Sequence, residues 1–328
     1  MNLEISVACQ NTDRTVALRD GRVRIDGCSA TFLSPSIEDI FRRAFRHVEF
    51  DVAELSLSTH LLTTARGDSQ YIAVPAFVSR SFRHSAIYVR SDRGISGAAY
   101  LKGRRIGVPD FQQTAGVWVR GMLADEYNVL PTDIEWKTGG LELPGQVPRV
   151  SLDLPEKMSV RPIEPTQTLS SMLAAGELDA IIAPTPPSCM ADTGVVARLF
   201  TDYRTAEEAY YAKTKLFPLM HVIGIRRELA SQHPWLPVNV YKAFVEAKAI
   251  AVRDLGGMGI AQATHPWIAA ETTRVQKLMG HDFWRYGITE NTNELQTFLR
   301  YARADGLITR DVNLRELFTS STFDLRGS

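Results

Sequence analysis

The chain has 328 residues, 45% of them hydrophobic and 23% charged, with thirty-seven basic side chains balancing thirty-seven acidic ones. That length suits one large or two medium globular domains. A neutral chain with no basic block gives no footing for nucleic-acid binding, and no apolar run reaches the ~18 residues of a membrane span.

The opening Leu3-Glu4-Ile5-Ser6-Val7-Ala8 alternates and predicts a strand, followed by a polar loop through Gln10 and Arg14. Short strands are expected at 22–25 and 30–33, and Ser36 caps a helix over 36–44. Residues 50–55 predict a strand that runs into Ser56 and Ser58, where a helix over 57–66 begins. Strands at 71–75 and 85–89 complete a first β/α half. Past Arg93 a second half starts, with a strand at 103–109, a helix over 115–127 and a strand at 134–136. The Pro- and Gly-rich stretch 139–165 reads as a long loop or hairpin. A helix over 168–175 and a buried strand at 178–183 follow, ended by Pro184, Pro186 and Pro187. A strand at 220–225 and helices over 237–255, 266–279 and 293–305 close the chain. Strands alternating with helices imply parallel sheets. There is no repeat at solenoid periods.

This order of elements resembles the type 2 periplasmic-binding-protein fold. The resemblance is carried by Phe50-Asp51-Val52-Ala53-Glu54-Leu55-Ser56, Leu101-Lys102-Gly103-Arg104-Arg105-Ile106-Gly107-Val108-Pro109, Gly176-Glu177-Leu178-Asp179-Ala180-Ile181 and the tail Leu314-Arg315-Glu316-Leu317-Phe318. It implies an α/β protein of two lobes, with two mixed or parallel sheets flanked by helices and a ligand cleft between lobes. The first lobe would comprise residues 1–93 and 222–328, and the inserted second lobe residues 94–221. Within that group the chain is most similar to the 4,5-dihydroxyphthalate decarboxylases. The closer match lies in Glu54-Leu55-Ser56-Leu57-Ser58, Ile72-Ala73-Val74-Pro75-Ala76-Phe77, Phe82-Arg83-His84-Ser85, Gly107-Val108-Pro109-Asp110-Phe111-Gln112-Gln113-Thr114-Ala115 and Leu216-Phe217-Pro218-Leu219-Met220-His221. These stretches fall at strand ends and helix starts, where open α/β sheets bind ligands.

What that resemblance implies is loss of one carboxylate from 4,5-dihydroxyphthalate, giving 3,4-dihydroxybenzoate. Each carboxylate is para to a phenolic oxygen, so the ring itself holds the electrons and no cofactor is needed. The protein must supply an anion site, an acid for the ring carbon and an apolar surface beside the leaving group. His84 and His221 are the acid–base candidates, because imidazole titrates in the useful range. Either could instead only bond a backbone carbonyl. Arg83 and Arg14 suit the carboxylates, since guanidinium forks match them; most arginines are ordinary surface groups. Gln113, Thr114 and Ala115 open a helix whose free amides favour an anion, and Ser56 and Ser58 read the same way. Plain helix capping explains both sets equally well. Glu54 could take a phenolic proton, ligate a metal or pair with an arginine. No ligand spacing such as HExxH supports a metal, so none is expected. Phe82, with Phe77, Phe111 and Trp118, suits an aromatic pocket, although core packing is the commoner fate. Trp235, Trp267 and Trp284 read as helical core or interface residues.

The competing reading is a non-catalytic binding protein for small aromatic carboxylates, of the kind that serves a transporter. Fold alone favours it. The opening MNLEISVACQ lacks the basic and apolar regions of an export signal, which points instead to a cytoplasmic protein. Cys9, Cys28 and Cys189 are scattered and fit a reducing compartment. The absence of a cysteine cluster also opposes a third reading, a pyrimidine- or thiamine-precursor synthase. The expected partner is a small aromatic dicarboxylate, with no nucleic acid and no membrane. The apolar C-terminal helices suit either a homo-oligomer interface or packing on the first lobe.

Overall fold

A computed structural model describes residues 2–146, 148, 150–192, 194–255 and 263–327. The described chain divides into two compact units, Met1–Arg80 with Leu219–Leu295 and Val312–Ser328, and Ser81–Pro218 with Gln296–Asp311. The divisions therefore fall at 80/81 and 218/219 rather than at 93 and 221. The residues 296–311, expected with the first lobe, pack in the second unit.

In chain order the first unit opens with β1 (Leu3–Ala8), α1 (Asp13–Arg19), β2 (Cys28–Leu33), α2 (Ile37–His47), β3 (Val52–Ser56), α3 (Leu57–Arg66) and β4 (Tyr71–Arg80). The second unit supplies β5 (Ile87–Arg90), β6 (Arg105–Val108), α4 (Thr114–Tyr127), β7 (Glu135–Thr138), β8 (Val160–Pro162), α5 (Leu169–Ala175), β9 (Ala180–Ile182), α6 (Cys189–Asp192), β10 (Val196–Arg198) and α7 (Tyr203–Thr214). From Leu219 the chain continues through β11 (Leu219–Arg226), α8 (Arg227–Gln232), α9 (Leu236–Leu255) and α10 (Ile268–Met279) in the first unit, α11 (Thr292–Ala304), most of which lies in the second, and α12 (Leu314–Leu317) back in the first.

The first unit is built on a five-stranded sheet in the order β2-β1-β3-β11-β4. Strands β1, β2 and β3 are parallel, and β11 runs antiparallel to both β3 and β4. All five residues of β3 are buried, as expected of a central strand covered on both faces. The second unit holds a six-stranded mixed sheet in the order β10-β5-β9-β6-β7-β8. Only β5 makes purely antiparallel pairs with its two neighbours there.

Several sequence expectations differ from this arrangement. The polar loop after β1 becomes a helix at Asp13, because the Thr12 amide donates to Thr15 Oγ1 at 2.9 Å and Asp13 sits in the favourable first turn. No strand forms over 22–25. Val23 and Ile25 are buried, but the Val23 amide returns to the Ala17 carbonyl at 2.8 Å, so the alternation reflects burial without a ladder. Strand β5, expected in the first sheet, pairs with β9 and β10 in the second. Helix α7 was not anticipated. Its signal is Asp202, whose carboxylate accepts the Thr205 amide at 3.2 Å and caps a run of good helix formers.

Candidate active site

The first unit has its topological switch point between β1 and β3, since the chain leaves β1 to one side and returns to the other. Open α/β sheets bind ligands beyond the carboxyl ends of such strands. Glu54 is the middle residue of fully buried β3 and is only 3% exposed. A buried carboxylate is costly unless bonded. Here the Gln10 amide, just past β1, donates to Oε2 at 2.8 Å, and His221 Nδ1 contacts Oε1 at 2.7 Å. Glu54 thus pairs with an imidazole and not with an arginine. An acceptor-only carboxylate at that distance fixes the tautomer, placing the proton on Nδ1 and leaving Nε2 for exchange. The His221 side chain retains 21% exposure, and its ring meets Phe41 edge-on at 5.0 Å.

The local backbone explains how His221 reaches that place. It lies opposite Ser56 of β3 and Ser79 of β4. Its pairing with β4 shifts register on both sides, between Leu219 and His221 and between His221 and Ile223. Bulges of this kind re-aim a side chain beside a functional site. Ser56 and Ser58, both buried, stand at the end of β3 and the start of α3, on the same edge. Arg14 rises from the first turn of α1. Its Nη1 pairs with Asp13 at 2.7 Å, its Nε donates to the Val78 carbonyl at 3.3 Å, and its guanidinium lies 4.0 Å above the Trp284 ring. Trp284 is outside any helix, contrary to expectation. The neighbouring Cys9 thiol is pushed up to about 12 by burial, with the charge of Glu54 adding to the effect, so it stays protonated at neutral pH. His60, in α3, is fully buried and bonds the Leu317 carbonyl at 3.0 Å; burial pushes its pKa down to about 4.

In the second unit, His84 lies in a short 3₁₀ turn and is 2% exposed. Its ring packs between Phe200 at 5.1 Å and Tyr210 at 5.3 Å, and burial pushes its pKa down to about 4. Burial also lowers Arg83 to about 10, opposed by the charge of Glu207. Glu207, raised by burial, accepts the Ser85 amide at 3.3 Å. Phe82 packs on Phe217, with ring centroids 4.7 Å apart. Phe77, Phe111 and Trp118 are core residues, all within 1% exposure. Gln113 caps α4, and Thr114 and Ala115 form its buried first turn. Beside them, beyond the carboxyl ends of β6 and β7, a pocket of ≈ 470 Å³ is lined by Asp110, Phe111, Gln112, Thr138, Leu154 and Met158 among others. Gln112 donates to Asp110 Oδ2 at 2.9 Å.

The sequence candidates therefore fall into two groups. Glu54, His221, Arg14, Ser56 and Ser58 share one sheet edge of the first unit. Phe82, Arg83 and His84, and separately Gln113, Thr114 and Ala115, belong to the second. Gln10, Phe41, Trp284 and Glu207 carry contacts that sequence reasoning missed, because each acts through a partner distant in the chain. Among the described residues no cluster of three or more His, Cys, Asp or Glu side chains could hold a metal ion, and no helix is long and apolar enough to cross a membrane.

No family model matches the chain. Among solved structures it is similar to the periplasmic aliphatic sulphonate binding protein SsuA of Escherichia coli, with a TM-score of 0.56 and 12% identity over 98% of this chain and 99% of that one. That likeness concerns the fold, which is the two-lobed periplasmic-binding-protein type. A 4,5-dihydroxyphthalate decarboxylase of Pseudomonas putida is 47% identical over 210 residues, 64% of this chain and 81% of the relative. A 4,5-dihydroxyphthalate decarboxylase of Comamonas testosteroni is 46% identical over 324 residues, 98% of each chain. Identity at that level along nearly the whole of both sequences means that the chain belongs to the 4,5-dihydroxyphthalate decarboxylase family.

Proposed function

We propose that this protein removes one carboxylate from 4,5-dihydroxyphthalate to give 3,4-dihydroxybenzoate and carbon dioxide. The observation that carries the chemistry is the buried Glu54 joined to His221 at 2.7 Å at the edge of the first sheet. In the substrate a phenolic oxygen para to one carboxylate pushes electrons into the ring. His221 Nε2 takes up a proton from solvent, Nδ1 keeping its own on Glu54, and passes it to the ring carbon bearing that carboxylate, giving a dearomatised intermediate. The bond to the carboxylate then breaks, its electron pair restores the ring, and carbon dioxide leaves. One proton is consumed and one C–H bond replaces one C–C bond, with no net redox change and no cofactor. Glu54 keeps the imidazole oriented, and the geometry suits general acid catalysis.

Arg14 is the proposed partner of a substrate carboxylate, and the start of α3 at Ser56 and Ser58 offers amides of the same character. Arg83, Phe82 and the start of α4 at Gln113, Thr114 and Ala115 are the corresponding substrate-binding candidates of the second unit. His84 is poorly suited to be the acid, since burial pushes its pKa down to about 4 and keeps the ring neutral at pH 7. The three free cysteines agree with a cytoplasmic setting. A pure binding role is disfavoured by the naming of relatives at 46% and 47% identity as decarboxylases.

Purified protein mixed with 4,5-dihydroxyphthalate, without added cofactor, is expected to produce the ultraviolet spectrum of 3,4-dihydroxybenzoate. If the ligand raises the melting temperature and no product appears, the chain is a binder and the enzymatic reading is wrong.

A further inference from the structure

Strands β4 and β11 pair Val74 with Ile223 and Ser79 with His221, so Pro75, Ala76, Phe77 and Val78 oppose the single residue Val222. Four residues against one is a wide bulge, and it turns several β4 carbonyls away from the ladder. Those carbonyls are taken up elsewhere. Pro75 O accepts the Gly287 amide at 2.9 Å, Phe77 O accepts Trp284 Nε1 at 2.9 Å, and Val78 O accepts Arg14 Nε at 3.3 Å. The last two interactions are linked, because the Arg14 guanidinium stacks on the Trp284 ring at 4.0 Å. Two adjacent carbonyls of one bulge thus hold a tryptophan and the arginine lying flat on it. The Nε edge of Arg14 is spent on the backbone and Nη1 is shared with Asp13.

From this geometry we propose that Trp284 is a positioning residue for the anion-binding arginine. It clamps the Arg14 guanidinium so that its outer edge presents a fixed pair of N–H groups to one carboxylate of an aromatic diacid. The proposal rests on the reading of Arg14 as a substrate contact. A flexible arginine would lose side-chain entropy on each binding event, whereas one stacked in advance has already lost it. A cation over tryptophan, the best of the aromatic faces, is a suitable clamp.

The test uses phthalate, which has both carboxylates but no hydroxyl to drive decarboxylation, and reads its Kd by titration calorimetry. Trp284→Phe keeps an aromatic face and Trp284→Met keeps bulk without one. The phenylalanine variant is expected to bind phthalate close to wild type, and the methionine variant about fivefold more weakly. In an Arg14→Gln background, Trp284→Met should cost nothing further, since the arginine it acts through is gone. Equal binding by both tryptophan variants, or the same loss with and without Arg14, overturns the proposal. So does wild-type protein that fails to bind phthalate at millimolar concentration. Failure of the decarboxylase reading would appear separately, as wild type that binds phthalate yet releases no carbon dioxide from 4,5-dihydroxyphthalate.

Discussion

Glu54 is a charge placed where the fold leaves it two partners, a backbone amide and one imidazole. Substituting either side chain separates chemistry from binding. His221→Ala is expected to lower kcat by about 10²-fold or more, and Glu54→Gln, which leaves the ring without its charged anchor, by about tenfold, both with little change in KM. Unchanged kcat in His221→Ala removes it as the proton donor. Arg83→Ala should chiefly raise KM, and wild-type kinetics would free Arg83 from any substrate role. His84 and His60 have a different consequence. Both are held near 4 in the folded protein, against 6.5 for the free side chain, so the unfolded chain binds more protons between those values. Their contribution is intact above pH 6.5 and is lost as the pH falls towards 4. Melting temperature should therefore drop steeply over that window, and His60→Asn, which keeps a donor for the Leu317 carbonyl, should flatten the drop. A melting profile of equal slope in that variant would refute the assignment. At this scale the sequence revealed the polar candidates, through their position at strand ends. It did not reveal pairs such as Glu54 with His221, or Arg14 with Trp284, because those depend on contacts across most of the chain.

Among the elements, β11 does most to assemble the first-unit site. It fits between β3 and β4 only because Gly224 has no side chain. A Cβ there would clash with Leu55 Cδ1 and come within 3.3 Å of Tyr71 Cβ. Gly224→Ala should destabilise the protein by about 1–3 kcal/mol, and, by pushing β11 away from β3, should lengthen the Glu54–His221 contact and reduce kcat as well. Urea denaturation and kinetics on the same sample check both; wild-type stability would mean that Leu55 moves aside freely. Strong patterns were readable here. The predicted β1 and α3 match their observed bounds, and the predicted α4 does so to within one residue, since each combines periodicity with a clear start and stop. Sheet membership was not readable. The alternation of β5 specifies a strand but not its neighbours, and the bulge in β4 has no local signature beyond Pro75.

Across the whole molecule, the chain passes between its two units four times, at 80/81, 218/219, 295/296 and 311/312. The last visit to the second unit matters for its stability. Trp118 of α4 packs on Phe298 and Tyr301, each with ring centroids 5.6 Å away, and buried Arg120 is held by Asp305 at 2.7 Å. Asp305→Ala would leave a buried, uncompensated guanidinium and should cost about 3–5 kcal/mol, read by urea denaturation. A loss under 1 kcal/mol would mean that water or another group reaches Arg120. The two-lobed class was legible from the order of strands and helices, but this late return was not, because a helix pattern does not tell which core it joins. The position of β11 between β3 and β4 also bears on biosynthesis. While residues 81–218 are still leaving the ribosome, β3 and β4 have been made but the strand that joins them has not. The nascent first unit therefore carries two unpaired strand edges throughout that interval, until β11, which ends at Arg226, has been made.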